Sequence, residues 1–196
     1  MAGCINIPNP DYLPPRPWNG APLAEACDGQ WAQANPGNVG HETNWLQCTT
    51  ASNLYGVPAG SVIVGITVQN KISASVNPFG VGTDNTSSDL HQRIVKGAVM
   101  GTEERADTGN FYPSPRSAQA FRSHGGQNDL WGETWTADDI NSGSFGAMVA
   151  SINTASSSWI DIDCVQIEVC WLPANTPTPS PTATRSPGAR SRLQWW

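Results

Sequence analysis

The chain has 196 residues with a formal net charge of −6 at pH 7, and only 13% of its residues are charged. The acidic balance argues against a nucleic-acid partner, because phosphate binding needs a basic face. We expect no membrane span, because the sequence contains no run of ~18 apolar residues. Low charge with abundant Ser, Thr, Asn, Gly and Pro is typical of extracellular or virion β-proteins.

Residues 1–26 are rich in proline and are predicted to form an extended arm outside the folded domain. The arm begins with MAGCINIPNP, which has neither the basic region nor the apolar region of a signal peptide. We therefore expect either a protein that is not exported by the general route or a chain whose true start lies upstream.

Alternation of apolar and polar residues with period two predicts β-strands at 61–70, 91–97, 144–153 and 159–171. In the first strand, Val62, Val64, Ile66 and Val68 are predicted to face the core. In the last strand, apolar residues occupy even positions before Cys164 and odd positions after it. This change of phase predicts a β-bulge near Cys164.

One short helix is predicted within residues 135–143. Thr136 is placed to cap its N-terminus, and Asp138 and Asp139 follow in the first turn, where negative charge is favourable. Gly143 is a natural stop after it. The segment supports about one helical turn.

Strands with Gly- and Pro-rich connections and almost no helix predict an all-β fold, a single antiparallel β-sandwich that is jelly-roll-like. The sandwich is expected over residues 27–172. Residues 173–196 contain the Pro/Thr/Ser tract PANTPTPSPTATRSP and are predicted to be a disordered linker or stalk.

The chain has five cysteines, an odd number that cannot all pair within it. Cys164 and Cys170 lie in one predicted strand at a separation of roughly 20 Å, which is beyond disulfide reach. Cys4, Cys27 and Cys48 lie in the N-terminal third, where one pair is possible.

Residues 125–146, GGQNDLWGETWTADDINSGSFG, combine acidic, aromatic and glycine residues and allow two interpretations. A glycosidase needs two carboxylates roughly 5–9.5 Å apart. The alternative is an ordered corner of the fold. In it Gly125, Gly126 and Gly132 supply positive φ or close backbone approach, Trp131 and Trp135 are buried, and Asp129 accepts backbone N–H bonds. The corner is the favoured interpretation. The candidate carboxylates for catalysis are Glu133, Asp138, Asp139, Asp161 and Asp163.

Two kinds of ligand site are also considered. Residues 82–89, GTDNTSSD, offer Asp84 and Asp89 as oxygen ligands for calcium, although a polar loop with Asx-turns explains the same pattern. Aromatic rings that are free to stack on sugars would indicate carbohydrate binding. The candidate stacking residues are Trp31, Trp131, Trp135 and Trp159.

Five sequence segments, taken in their order along the chain, resemble the pattern of a known protein family. They are Asp28, Gly29, Trp31 and Ala32 in CDGQWAQA, then NLYGVPAGSVIVGITVQ, RIVKGAVMGTEERADTGNFYPS, GGQNDLWGETWTADDINSGSFGAMV and IDIDCVQIEVCW. In this order they resemble a β-sandwich module found in phage tail and appendage proteins and in large bacterial surface proteins. The resemblance covers residues 27–172 and implies a non-catalytic structural or adhesive module.

The resemblance carries over no catalytic residue. Cys164 and Cys170 depart from its pattern, because aromatic or polar residues are more usual at those positions, and this leaves thiol chemistry open. The residues to which it assigns a structural role are Asp28, Gly29, Gly65, Asp129, Trp131, Gly132, Phe145 and Asp163.

The preferred hypothesis is therefore a non-enzymatic β-sandwich in a virion or at a cell surface, with no cofactor other than possible calcium. Its possible partners are a host or cell-surface glycan, further copies of itself, and other fibre or surface-layer subunits. The first alternative is a carbohydrate-binding module, and a more distant one is a glycan-active enzyme.

Overall fold

The fold is given by a computed structural model, which describes residues 3–10, 14–76, 87–154 and 158–174. A short helix, α1, spans Ala137–Asn141, and 3₁₀ turns span Ala21–Glu25 and Arg116–Ala118. The strands are β1 (Gly3–Ile7), β2 (Ala32–Ala34), β3 (Trp45–Thr49), β4 (Val62–Val76), β5 (Ser87–Lys96), β6 (Val99–Met100), β7 (Ala120–Gly126), β8 (Gly146–Asn153) and β9 (Ser158–Leu172).

The strands form two antiparallel sheets that pack face to face. One sheet has five strands in the order β1-β3-β8-β5-β6, and the other has four in the order β2-β9-β4-β7. Trp131, Tyr112 and Phe145 are the largest side chains that are fully buried. The predicted fold class, a single antiparallel β-sandwich, is confirmed.

The longest pairing joins β4 to β9 and contains the predicted bulge. Lys71 pairs with Cys164 and Ile72 pairs with Ile162, so Asp163 is an extra residue in β9. The extra residue reverses the faces of the strand, as expected for a bulge. For this reason the core-facing positions change from even to odd numbers near Cys164, as the sequence predicted.

A second irregularity lies near the start of β4 and was not predicted. The register with β9 shifts between Ile63 and Gly65, which leaves Val64 as the extra residue. As a result Ile63 is buried, while Val62 is 58% exposed. The predicted inward orientation of Val62 is therefore wrong, because the inserted residue turns the preceding side chains to the other face.

The described part of the N-terminal segment belongs to the sandwich. β1 pairs with β3, and Cys4 forms a disulfide with Cys48. Trp18 and Ala24 lie in the main core, and Trp18 Nε1 donates to Asn44 O at 2.7 Å. The predicted boundary after residue 26 is thus wrong: proline limits regular structure in this segment but does not prevent apolar side chains between the prolines from being buried.

A second disulfide joins Cys27 to Cys164 across 137 residues. One pair within the N-terminal third was foreseen, but this long-range pair was not. Cys170 is free, so Cys164 and Cys170 do not pair with each other.

Some predictions fall outside the described residues. They include the calcium ligand Asp84 and most of the Pro/Thr/Ser tract, from residue 175 onward. Within the described part of the chain, no helix has the length and apolar character needed to cross a membrane.

Candidate functional site

The acidic and aromatic stretch at residues 125–146 is a tight corner that connects β7 through α1 to β8. Gly125 has φ +73, and a Cβ built on it would stand 2.5 Å from Ile66 O and 2.6 Å from Trp131 Nε1. Gly132 also has a positive φ, +69. Both positions therefore need glycine for its backbone freedom, and Gly125 needs it for close approach as well.

Trp131 fastens this corner to the core. Its side chain is fully buried, and its Nε1 donates to Ile66 O at 2.9 Å. Its backbone N–H donates to Asp129 Oδ1 at 2.8 Å, which is the predicted Asx-turn geometry. Arg105 donates to Asp129 Oδ2 at 2.8 Å and thereby lowers the pKa of Asp129. Trp131 consequently offers no ring face to a sugar, and its use as a stacking platform is ruled out by burial.

Helix α1 begins at the predicted cap. Thr136 Oγ1 accepts from Asp139 N at 3.1 Å, and Asp139 Oδ2 accepts from Thr136 N at 2.9 Å, which together form a capping box. Lys96 Nζ lies 3.3 Å from the same Asp139 oxygen. The Asp139 carboxylate therefore binds groups at the N-terminus of the helix.

Phe145 and Trp135 pack against each other at the C-terminal part of the corner. Phe145 is fully buried and meets Trp135 edge to face, with ring centroids 5.4 Å apart. Trp135 is partly buried, its Nε1 donates to Leu130 O, and Lys96 Nζ stands 5.2 Å from its ring centroid. Trp135 thus packs partly against the core, and its sugar-stacking role stays a prediction.

A cleft elsewhere on the molecule is lined by partly exposed charged and polar side chains. It is an open cleft of about 550 Å³ on the outer face of the four-stranded sheet, on the side away from the core. We refer to it as the Trp31 cleft. The lining residues are Trp31, Lys71, Arg116, Ser117 and Gln119.

Two fully buried carboxylates lie against the charged residues of the Trp31 cleft. Asp161 accepts from Arg116 Nε at 2.9 Å and Nη2 at 2.8 Å, and its side chain has no exposed surface. Asp163 accepts from Lys71 Nζ at 2.6 Å and is also fully buried. The bidentate pair fixes the plane of the Arg116 guanidinium. The carboxylates thus position two cations at the surface.

Trp31 contacts one of these cations directly. Arg116 Cζ lies 4.5 Å from the Trp31 ring centroid, a cation–π geometry. The Trp31 ring, which was predicted to stack on a sugar, therefore packs against the guanidinium of Arg116. Trp31 Nε1 and Gln119 Nε2 are buried atoms that have no hydrogen-bond acceptor among the residues that the structure describes.

The Asp-Gly element before β2 attaches to the bulge of β9. Gly29 N donates to Asp163 Oδ1 at 2.9 Å across 134 residues, and Gly29 has φ +83. Asp28 Oδ1 accepts from Gln30 N at 3.0 Å and closes the local turn. The neighbouring Cys27–Cys164 disulfide anchors the same loop. These contacts bring Trp31 to its place over Arg116.

Two further predicted residues lie elsewhere. Trp159 is partly buried and is not part of the lining of the Trp31 cleft. Gly65 lies in β4, where a Cβ would collide with the backbone of Gln127. The sugar-stacking role of Trp159 stays a prediction.

Asp89, the described member of the predicted calcium pair, is a buried member of a polar network between the sheets. Its Oδ1 accepts from Tyr112 Oη at 2.8 Å, and its Oδ2 accepts from Asp107 N at 3.3 Å and lies 3.6 Å from His124 Nε2. Burial raises the pKa of Asp89, while His124 and Tyr112 oppose that rise. No group of three metal-binding side chains occurs among the described residues. Both carboxylate oxygens of Asp89 already accept hydrogen bonds from protein donors. The role of Asp84 as a calcium ligand stays a prediction.

Sequence reasoning missed the residues that build the cleft. Arg116, Lys71 and Gln119 lie in a loop or on the polar face of a strand, where single polar residues carry no periodic signal. Only Trp31 was identified, because polar and turn residues flank it. The pairing of Arg116 with Asp161 spans 45 residues and has no local signature.

Comparison of the chain with protein-family models, curated proteins and solved structures found no match. The resemblance to a phage and bacterial surface module therefore stays a prediction. The function has to be inferred from the residues of this chain.

Proposed function

We propose that the protein is a non-catalytic adhesive β-sandwich module of a virion appendage or a bacterial cell surface, and that it binds a glycan at the Trp31 cleft. The observation that carries this proposal is the pair of partly exposed cations, Arg116 and Lys71, held in position by wholly buried carboxylates. Preorganised donors beside an aromatic ring suit a polar ligand, because little conformational freedom is lost on binding.

The state of the carboxylates supports a non-catalytic role. A glycosidase needs one carboxyl group to protonate the leaving oxygen and a second to act as nucleophile or base. Asp161 and Asp163 have no exposed surface and accept hydrogen bonds from Arg116 and Lys71. Asp139, in the corner, is committed to the capping box of α1. Asp161 and Asp163 are therefore shielded from a substrate, and Asp139, whose side chain is 28% exposed, already binds Thr136 and Lys96.

The disulfides support the proposed location. Cys4–Cys48 and Cys27–Cys164 are crosslinks of the kind that persist in oxidising surroundings, such as the cell exterior or a released virion. The low content of charged residues agrees with that setting.

A structural subunit is the second candidate function. Val62 and Leu172 pair directly across β4 and β9, and they are 58% and 57% exposed. An exposed apolar pair at the end of a sheet favours a contact with another subunit. In that case the module would serve as a building block of a fibre or surface layer.

The test is a glycan-array screen of the full chain together with light scattering after size exclusion. We expect saturable binding of one glycan class, which is lost in Trp31→Ala, while Trp135→Phe, on the corner, keeps it. Circular dichroism checks that both variants are folded.

Other outcomes decide against the proposal. Cleavage of a bound glycan, detected by mass spectrometry, would contradict the non-catalytic role. A chain that binds no glycan and forms a stable oligomer would favour the structural subunit instead.

A further inference from the structure

The charges that a ligand meets in the Trp31 cleft are positive, although the chain as a whole is acidic. The side chains of Arg116 and Lys71 are 36% and 29% exposed, whereas those of their partners Asp161 and Asp163 are 0% exposed. An approaching group therefore contacts the cations first and the carboxylates not at all. Coulomb attraction falls with distance, so the nearer cations outweigh the deeper carboxylates for a ligand anion.

Both cations have donors to spare. The guanidinium of Arg116 uses Nε and Nη2 on Asp161 and directs Nη2 also towards Ser75 Oγ at 3.4 Å. Its Nη1 has no acceptor in the part of the chain that the structure describes. Lys71 Nζ uses one proton on Asp163. The free Nη1 group of Arg116 and the remaining protons of Lys71 Nζ can each donate to one oxygen of a ligand carboxylate.

The arginine is already rigid before any ligand arrives. Trp31 packs on its face, with Cζ 4.5 Å from the ring centroid, and Asp161 holds its edge through two bonds. A free arginine side chain would lose rotamer entropy when it binds an anion, and this one has lost it on folding. A guanidinium that is fixed in this way and keeps a free donor can bind an anion with little further loss of side-chain entropy.

The rest of the cleft suits a sugar ring. Its volume of about 550 Å³ lies within the ordinary range for small-molecule sites. Ser117 and Gln119 add neutral hydrogen-bonding groups next to the cations. Trp31 Nε1 and Gln119 Nε2 belong to residues that line the cleft, and both are buried without an acceptor among the described residues.

We infer that the Trp31 cleft recognises a carboxylate-bearing sugar, with Arg116 and Lys71 binding the carboxylate and Ser117 and Gln119 contacting the ring hydroxyls. This inference rests on the adhesive function proposed above and specifies its ligand class. Trp31 is a positioning residue in this site, because it acts by holding Arg116.

Calorimetric titration of the full chain tests the inference. The probes are a galacturonic acid oligomer, the same oligomer with its carboxyls converted to methyl esters, and poly-glutamate. We expect the acid form to bind and the ester to bind roughly tenfold more weakly or worse, because the charge-assisted bonds are lost. Affinity for the acid form should fall as salt is raised.

Variants locate the binding. Arg116→Lys keeps the charge but loses both the bidentate bond to Asp161 and the free Nη1 donors, and should weaken binding of the acid probe roughly tenfold. Replacing Arg116→Gln together with Asp161→Asn avoids a buried unpaired charge and should abolish the preference for acid over ester. Arg93→Gln is the matched control, because Arg93 lies 5.9 Å from the Trp45 ring on the other sheet and should leave affinity unchanged.

The outcomes separate this inference from the proposed function. If a neutral or esterified glycan binds as tightly as the acid form, the acidic-sugar inference fails and the adhesive function stands. If poly-glutamate binds as tightly as the acid sugar, the site recognises carboxylates on a peptide and the inference fails. If no glycan of either kind binds, both fail.

Discussion

Single glycines set the geometry of the corner at residues 125–146. Gly125 has a positive φ, and a Cβ atom at this position would collide with the carbonyl oxygen of Ile66 and the indole of Trp131. Gly126, its neighbour in β7, has no positive φ and nothing within 4 Å of a built Cβ, so the predicted need for glycine at this position is wrong. The two positions therefore form a matched pair for testing how much the corner contributes to stability.

Gly125→Ala is expected to destabilise the protein by about 2–3 kcal/mol, because both the φ and the contact with Ile66 O are unfavourable for alanine. Gly126→Ala should change stability by less than about 0.5 kcal/mol. Urea unfolding measures both. Equal stabilities for the two variants would mean that the corner relaxes freely and is not an anchored element.

Glu104 provides a residue-level test of pH dependence. Burial opposes its ionisation, but hydrogen bonds from His91, Gln92 N–H and Arg93 prevail and lower its pKa from 4.5 to about 2. Because the folded pKa lies below the ordinary value, its contribution to stability is present above pH 4.5 and is lost as the pH falls towards about 2. The urea midpoint of the wild type should therefore fall more steeply across this window than that of Glu104→Gln.

Glu103→Gln is the control for this comparison, since Glu103 is a more exposed carboxylate that precedes Glu104 and contacts Arg105. Its curve should stay close to that of the wild type. Parallel curves for the wild type and Glu104→Gln would show that the His91–Glu104–Arg93 cluster does not form in solution.

At the scale of elements, the bulge in β9 allows one strand to present carboxylates on the outer face and apolar side chains to the core on both sides of the bulge. With Asp163 as the extra residue, both Asp161 and Asp163 contact cations of the Trp31 cleft while Ile160 and Ile162 remain in the core. Without the bulge, the strand would keep one phase and Val165 would turn outward. The bulge thus returns the apolar residues that follow it, such as Val165, to the core.

Helix α1 is short and depends on its cap. Thr136→Ala removes the bond to Asp139 N and should destabilise the protein by about 1 kcal/mol. Asp138→Asn, an exposed change in the same turn outside the capping box, should have an effect below about 0.5 kcal/mol. Chemical denaturation of both variants measures the difference. A neutral Thr136→Ala would indicate that packing of Ile140 alone holds the helix.

At the scale of the whole molecule, the long-range disulfide joins the N-terminal third to the closing strand. Cys27–Cys164 links residues 137 apart, next to the bond from Gly29 to Asp163. It therefore holds the loop that carries Trp31 against β9. Loss of this crosslink should affect both stability and the cleft.

Replacing Cys27→Ala together with Cys164→Ala should destabilise the protein by about 2–4 kcal/mol, mainly by freeing the unfolded chain. Cys170→Ala, on the same sheet but unpaired, is the control and should be close to neutral. Thermal and urea unfolding provide the measurement. Equal stability of the two variants would show that the Cys27–Cys164 crosslink is not formed in the protein as isolated.

Local patterns in the sequence were sufficient for several features. Alternation predicted the β-sandwich class, the change of phase predicted the bulge near Cys164, and the cap predicted α1 at Thr136. These features depend on neighbours a few residues apart, and strand or helix periodicity reports them directly. The bulge before Gly65 was missed because Val62, Ile63 and Val64 are all apolar and fit either face.

The sequence by itself determined the fold class, the main strands and the architectural nature of the corner around Trp131. Only the tertiary structure decided that the N-terminal segment joins the sandwich, that Cys27 pairs with Cys164, and that Arg116 lies on Trp31 above Asp161. The reason is that period and propensity report which face of an element is apolar. Period and propensity do not show which residue, distant in sequence, packs on a polar face. The contacts that form the Trp31 cleft join residues that are tens of positions apart along the chain.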